Sequence, residues 1–339
     1  MKSQIKDNGV VERKALKRKI KILICTLLVL ILGIVYEQIG ELLDSNRFQP
    51  PGKIINVNGH NMHIFAEGKG NTTVVFASGW KIPCPYVDFY PLYSEISKRT
   101  RIAVYDRPGY GWSEEANTPR NIDVIAKEMH ELLKKSGERA PYILVGHSIG
   151  SLEVIRFAQL YKNEVKGVVL IDGSNPNMYS NAEKPSVLVT LRTSIFNNSI
   201  YLFNKSGIAR LLLNLIPNFY SSTVLVTARN NFQFAPENFK KLDAAMFLKT
   251  FNNRNQVDEA KNKEVNASKV ASNGYIKDIP LRIITSEETN SYKEAGKNQR
   301  NFKKWSANSK QIIVKGAEHA VHWGHPEVIN KEILDLLNN

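Results

Sequence analysis

Gly146-His147-Ser148-Ile149-Gly150 decides the reading of this chain. The pentapeptide follows the apolar run Tyr142-Ile143-Leu144-Val145. It precedes a stretch in which Leu152, Ile155, Phe157, Ala158 and Leu160 recur at roughly helical spacing. Strand, sharp turn and helix thus come in the order that lifts a serine off a sheet edge. Glycines two residues either side let strand and helix approach without Cβ clashes. A chance Gly/Ser turn is the bland alternative in a chain with 20 glycines. The flanking elements argue against it, and Ser148 becomes the candidate nucleophile.

Outward from this turn the pattern repeats. Residues 54–57 and 62–65 read as a strand pair joined by an Asn58-Gly59 turn, and residues 72–77 and 101–105 as further strands. Ile122, Ile125, Ala126, Met129, Leu132 and Leu133 form one apolar face of a helix over 122–135. Residues 165–171, 281–285 and 311–314 supply three more strands, and a helix over 326–337 closes the chain. Strands alternating with helices predict an α/β fold with a mostly parallel central sheet flanked by helices. About a hundred residues separate Ser174 from Lys277, far more than a crossover needs, so residues 174–277 are expected to form an inserted helical cap. Its apolar segments are 188–203, 208–216 and 239–251. The core then comes in two parts, 44–173 and 278–339.

The 339 residues are 42% hydrophobic, ample for a sizeable core. Of the net charge of +14, residues 1–21 supply +6, with eight Lys/Arg against Asp7 and Glu12. The rest is scattered. No basic stripe interleaved with aromatics, zinc-finger spacing or helix-turn-helix pattern points to nucleic acid. Cys25 and Cys84 are far apart and imply no disulfide framework.

Residues 22–36 (ILICTLLVLILGIVY) carry no charge and follow Arg18, Lys19 and Lys21. The length suits a signal-peptide core or a short transmembrane helix. No small-x-small cleavage pattern follows Val35, which favours an uncleaved anchor over residues 22–43. The preceding basic tail, 1–21, predicts a cytoplasmic N-terminus, a single pass through the cell membrane and an extracytoplasmic catalytic domain.

Several further motifs stand in order: Ser78-Gly79-Trp80 after a strand, Tyr105-Asp106-Arg107-Pro108-Gly109-Tyr110-Gly111-Trp112-Ser113, Val169-Leu170-Ile171-Asp172, and Gly316-Ala317-Glu318-His319 before the last helix. Together with the pentapeptide they resemble the α/β-hydrolase superfamily over roughly residues 53–338. The fold hosts esterases, lipases, peptidases, thioesterases and non-hydrolytic relatives, so the resemblance is weak on substrate.

The resemblance implies His319 as the base. His322 and His325 are read as lining its loop, in preference to a three-histidine metal site. In many relatives the orienting acid follows the strand after the cap, where this chain has Thr289. Other members, such as some haloalkane dehalogenases, carry it at the end of the strand before the cap, which here is Asp172. Asp172 is the chosen acid, with Glu287 and Glu288 in reserve; a carboxylate capping the following turn is its structural alternative. The backbone N–H groups of Trp80 and Ile149 are the expected oxyanion donors, although the family's usual His-Gly is Ser78-Gly79 here. Asp106 and Arg107 are read as structural.

A serine at position 148 disfavours the aspartate-dependent chemistry of epoxide hydrolases and haloalkane dehalogenases in this superfamily. The expectation is acyl transfer on a small ester or lipid-like substrate, with neither metal nor organic cofactor. A proline-type aminopeptidase, in which Glu287 or Glu288 would receive an amino terminus, is the alternative enzyme. A non-catalytic small-molecule binding protein is the alternative from another class. The aromatics Phe196, Tyr201, Phe203, Phe219, Tyr220, Phe232 and Phe234 either line an acyl pocket or pack the cap's own core.

Overall fold

The structure, a computed structural model, describes residues 2–178, 186–216 and 218–338. One sheet of eight strands organises it, in the order β1-β2-β4-β3-β5-β6-β7-β8. The strands are β1 (Lys53–Val57), β2 (His60–Glu67), β3 (Thr73–Ala77), β4 (Arg101–Tyr105), β5 (Tyr142–His147), β6 (Val165–Ile171), β7 (Leu281–Ser286) and β8 (Ser309–Val314). Only β1 and β2 run against their neighbours; from β4 to β8 every pairing is parallel. The β1–β2 hairpin turns on Asn58 (φ 52°) and Gly59 (φ 86°), both left-handed as a tight two-residue turn requires.

Helices cover both faces, which is why every residue of β3, β5 and β7 is buried. One face carries α3 (Ile122–Ser136) and α4 (Gly150–Leu160). The other carries α2 (Tyr90–Ile96) and α9 (Pro326–Asn338). In α3 the predicted apolar residues are the buried ones; Asn121 caps its start by accepting from the Val124 N–H at 3.0 Å, and Gly137 ends it at φ 90°.

Between β6 and β7 the chain makes its long helical excursion through α5 (Val187–Lys205), α6 (Ile208–Leu215), α7 (Glu237–Thr250) and α8 (Arg254–Ser272). The first three fall where apolar segments were expected. The fourth lies inside the expected cap span, 174–277, yet Ala267 and Val270 put it in the sheet-flanking layer beside α3 and α4. Its mostly polar sequence hides so narrow an apolar stripe. Of the insertion's aromatics, Tyr220 and Phe232 are buried in a cluster shared with Cys84, Val87 and Trp323 of the core, whereas Phe196, Tyr201, Phe203 and Phe234 are exposed.

Ahead of the sheet stands α1 (Lys2–Arg47). Its Leu16–Arg47 portion is long and apolar enough to cross a membrane and is almost entirely unburied.

Candidate active site

Strand β5 ends at His147, and the chain reverses at Ser148 into α4. Ser148 has φ 52°, a left-handed conformation that costs a non-glycine residue on the order of 1 kcal/mol or more. Backbone bonds hold it there. Its N–H donates to the Ile171 carbonyl at 3.0 Å, and its carbonyl accepts from the N–H groups of Ser151 (3.1 Å) and Ser174 (3.0 Å) and from Ser151 Oγ (2.7 Å). Gly150 is required by contact: a Cβ there would lie 2.5 Å from the Ala77 carbonyl oxygen and 2.6 Å from that of Ser78.

One strand over, β6 delivers Asp172, also left-handed at φ 45° and tied by its N–H to the Ile284 carbonyl at 2.7 Å. Its carboxylate is buried and meets four donors. His319 Nδ1 lies 2.7 Å from Oδ2, Thr289 Oγ1 donates at 2.6 Å and Ser286 Oγ at 3.0 Å to the same oxygen, and the Ser286 N–H donates to Oδ1 at 3.1 Å. With Asp172 as the acceptor, the imidazole proton lies on Nδ1 and Nε2 keeps its lone pair. The His319 side chain is half exposed (51%).

Thr289, at the position where the acid was expected in many relatives, donates a hydrogen bond to Asp172. The reserves are occupied differently. Glu288 accepts from the His319 N–H at 3.1 Å and Glu287 from the Gly316 N–H at 2.9 Å, so both brace the backbone of the histidine loop. The structure brings Asp172 to the His319 ring. Ser286, a donor twice over, was not singled out in the sequence, because a serine ending a buried strand has no local mark.

The loop after β3 lies directly on the serine turn. A Cβ on Gly79 would come within 2.9 Å of His147 Nδ1 and 3.5 Å of Ser148 Cβ. Among the described residues the N–H groups of Trp80 and Ile149 have no hydrogen-bond partner within the fold, leaving two donors beside Ser148. Arg107 fixes this loop: Nη1 donates to the Ser78 carbonyl at 2.8 Å and Nη2 to the Gly79 carbonyl at 3.0 Å. The guanidinium is buried between Glu153 of α4 and Glu259 of α8, each at 3.2 Å. Burial opposes its charge, but Glu259, Tyr110 and Glu153 outweigh that and push its pKa up. Burial raises the Glu153 carboxyl in spite of Arg107, and the Tyr105 hydroxyl bonds to it. Asp106 is structural as expected, accepting from His63 Nδ1 (2.8 Å) and the Trp112 N–H (2.9 Å). Arg107 is structural too, holding the loop before Trp80 through the Ser78 and Gly79 carbonyls.

A family model for the alpha/beta hydrolase fold matches residues 76–326, nearly three quarters of the chain. The chain belongs to the alpha/beta hydrolase fold family. The Bacillus subtilis protein YbdG is 28% identical over 333 residues, covering 96% of this chain and 98% of its own length. The match therefore runs into α1. Among solved structures, the epoxide hydrolase VrEH1 from Vigna radiata superposes with a TM-score of 0.63 at 19% identity, over 84% of this chain and 97% of that one. A bromoperoxidase from Bacillus anthracis superposes at 0.59 and 18% identity, over 85% and 99%. At these identities the superpositions speak for the fold alone.

Among the described residues the His319 ring is hydrogen-bonded to Asp172 and not to Ser148, and beneath it this hydrolase fold carries a second buried cluster. The three C-terminal histidines take different acids: His319 pairs with Asp172, His322 Nε2 lies 3.2 Å from Asp88 Oδ2, and His325 lies 3.6 Å from Glu327. His322 is therefore core rather than loop lining, fully buried as its neighbour Trp323 is. Asp88, in the single helical turn Pro85–Asp88, also accepts from Trp323 Nε1 at 3.3 Å and faces Arg229 of the insertion at 3.9 Å. Burial opposes its charge, yet His322 and Arg229 hold its pKa down at about 2. His147 completes the group. Its ring centroid is 4.6 Å from that of His322, and its Nε2 reaches the His319 carbonyl at 3.3 Å. Burial first, then His322 and His319, drive its pKa well below 6.5, so it is neutral. Donor atoms of Asp88, His147 and His322 lie within 4.8 Å of one another, a spacing a metal ion accepts. Arg229 faces Asp88 at 3.9 Å but pairs more closely with a second buried carboxylate, Asp243, at 3.0 Å, so His322 is the nearer partner of Asp88.

Proposed function

We propose that this protein is a membrane-anchored serine hydrolase that cleaves a carboxylic ester through an acyl-enzyme, with Ser148 as nucleophile, His319 as base and Asp172 as orienting acid. The observation that carries the reading is the 2.7 Å contact from His319 Nδ1 to a buried, four-donor Asp172, one strand from a left-handed Ser148. In this scheme His319 Nε2 takes the Ser148 proton as Oγ attacks the ester carbonyl, and Asp172 stabilises the imidazolium that forms. The Trp80 and Ile149 N–H groups receive the oxyanion. His319 then protonates the departing alcohol, and water, deprotonated by the same nitrogen, releases the acid. Neither step calls for a metal or an organic cofactor.

The insertion serves as a cap over this site and α1 as a single membrane span with the basic tail in the cytoplasm, which holds the site near lipid and suits ester substrates of lipid character. The run of the YbdG match into α1 supports treating that helix as part of the protein's design rather than an appendage. The use of Glu287 and Glu288 as backbone acceptors leaves them poorly placed to receive an amino terminus and weighs against the aminopeptidase alternative.

The test is hydrolysis of p-nitrophenyl acyl esters of increasing chain length by the full chain in detergent, beside Ser148→Ala and His319→Ala. The scheme requires each substitution to lower kcat/KM by roughly 10⁴-fold or more. Absence of turnover on every ester by the folded wild-type protein would overturn it.

A further inference from the structure

The uncharged run 22–36 has 15 residues, about 22 Å of helix, which is short of a hydrocarbon core of about 30 Å. The charged residues just C-terminal to that run are neutralised from outside the helix. Gly33, Glu37, Gly40, Glu41 and Asp44 fall on one face of α1 and meet the insertion. Glu37 is buried and receives two bonds from Arg210 of α6, at 3.0 Å each; Arg210 also pairs with Asp44 at 2.7 Å, and Lys205 of α5 with Glu41 at 3.2 Å. Each acid on that face beyond Tyr36 thus has a cation from the insertion. The opposite side exposes Ile39, Leu42 and Leu43, with Gln38 its polar residue before Leu43. Through Leu43 the helix reaches about 33 Å, enough to span.

The contact also fixes where the insertion lies. A Cβ on Gly33 would stand 2.3 Å from the Ser206 carbonyl oxygen, and one on Gly207 (φ 79°) 2.3 Å from that of Gly33. Two backbones touch through small residues, the mode of helix packing inside membranes. Gly33 belongs to the uncharged run, so the α5–α6 corner sits at the depth of that run. From this corner α5 and α6 expose Leu191, Ile195, Phe196, Leu202, Leu211 and Leu215. Residues 186–216 contain no acid, and their charges are Arg192, Lys205 and Arg210. A largely apolar surface that carries no acid, continuous with a spanning helix, is matched by lipid tails.

We propose that α5 and α6 lie in the lipid bilayer beside α1, where their cations neutralise the acids that follow its uncharged run. The placement rests on α1 crossing the membrane. The full chain carrying Cys25→Ala, with Cys84 buried and its thiol pushed up by burial, would receive a bimane label at Leu28→Cys, Leu202→Cys, Leu215→Cys or Asp278→Cys. Each variant would be placed in nanodiscs of brominated phosphatidylcholine and phosphatidylglycerol after its melting curve is matched to wild type. Asp278 is exposed on the loop before β7, at the opposite end of the sheet from Asp172 and His147. The expected result is quenching at positions 28, 202 and 215 to roughly half the emission in unbrominated discs or below, and none at 278. Quenching at 28 alone would overturn the immersion of α5 and α6 and leave the anchor standing. No quenching at 28 would overturn the anchor and this placement with it.

Discussion

Replacing Asp172 by asparagine should lower kcat by about 10⁴-fold, or about 5 kcal/mol of transition-state stabilisation. The magnitude comes from what the carboxylate does. It accepts four hydrogen bonds, from His319 Nδ1, Thr289 Oγ1, Ser286 Oγ and the Ser286 N–H. An amide keeps one oxygen and turns an NH₂ toward donors on the other side. If the NH₂ faces His319, the ring must give up the Nδ1 proton and carry it on Nε2, where it can no longer act as base. The lost bond to a charged acceptor costs about 2 kcal/mol of stability, a fall in Tm of about 3 °C for a domain this size. The assay is kcat and KM on the best p-nitrophenyl ester together with thermal melting, alongside Glu287→Gln and Glu288→Gln. Those two touch only backbone N–H groups of the histidine loop and should change kcat by less than about tenfold. An Asp172→Asn protein that melts as expected and keeps activity within tenfold of wild type would refute Asp172 as the acid. Loss confined to Glu287→Gln or Glu288→Gln would reassign the role.

Moving the acid is a second check: Asp172→Asn with Thr289→Asp should recover at least about tenfold of the activity lost in Asp172→Asn alone, since Thr289 Oγ1 lies 2.6 Å from the present acid, and kcat of the pair of variants measures it. Folding lowers the His147 pKa below 6.5, so under that pH the unfolded chain takes a proton that the folded chain refuses. His147's contribution is complete above pH 6.5 and falls on acidification by about 1.4 kcal/mol per pH unit. His147→Gln should remove that one-proton slope between pH 6.5 and 5 in urea unfolding. Arg107→Lys should lower kcat about 10- to 100-fold with little change in KM, because an ammonium cannot fork onto the Ser78 and Gly79 carbonyls while facing Glu153 and Glu259; steady-state kinetics separate the two constants.

The sheet was legible because its cues are local. Asn58-Gly59 specifies a tight turn by itself, and the apolar runs of β3, β5, β6 and β7 are each bounded by turn residues. The serine turn was legible for the same reason, since its glycines, strand and helix lie within 20 residues. The choice of Asp172 over Glu287 and Glu288 rests on a resemblance; among the described residues, the carboxylate hydrogen-bonded to the His319 ring is the one at the end of β6. What stayed hidden is long-range. Asp88 and His322 are 234 residues apart in sequence, and nothing near either marks a buried pair. Arg107 looked like turn punctuation because its two carbonyl acceptors are supplied by a different loop. Helix α8 escaped because Ala267 and Val270 are small marks of burial in a polar stretch.

The pairing of Arg229 with Asp88 sets a rule for building chimeras. Asp88 belongs to the core and Arg229 to the excursion between β6 and β7, so two separable segments share one buried charge balance. A foreign segment spliced at that point brings its own contours. Unless it also delivers a cation there, Asp88 is left with His322 and the Trp323 indole as its partners under the loop that carries His319. Suitable graft donors are therefore recognised by a single basic side chain at the right depth, ahead of any overall similarity in sequence.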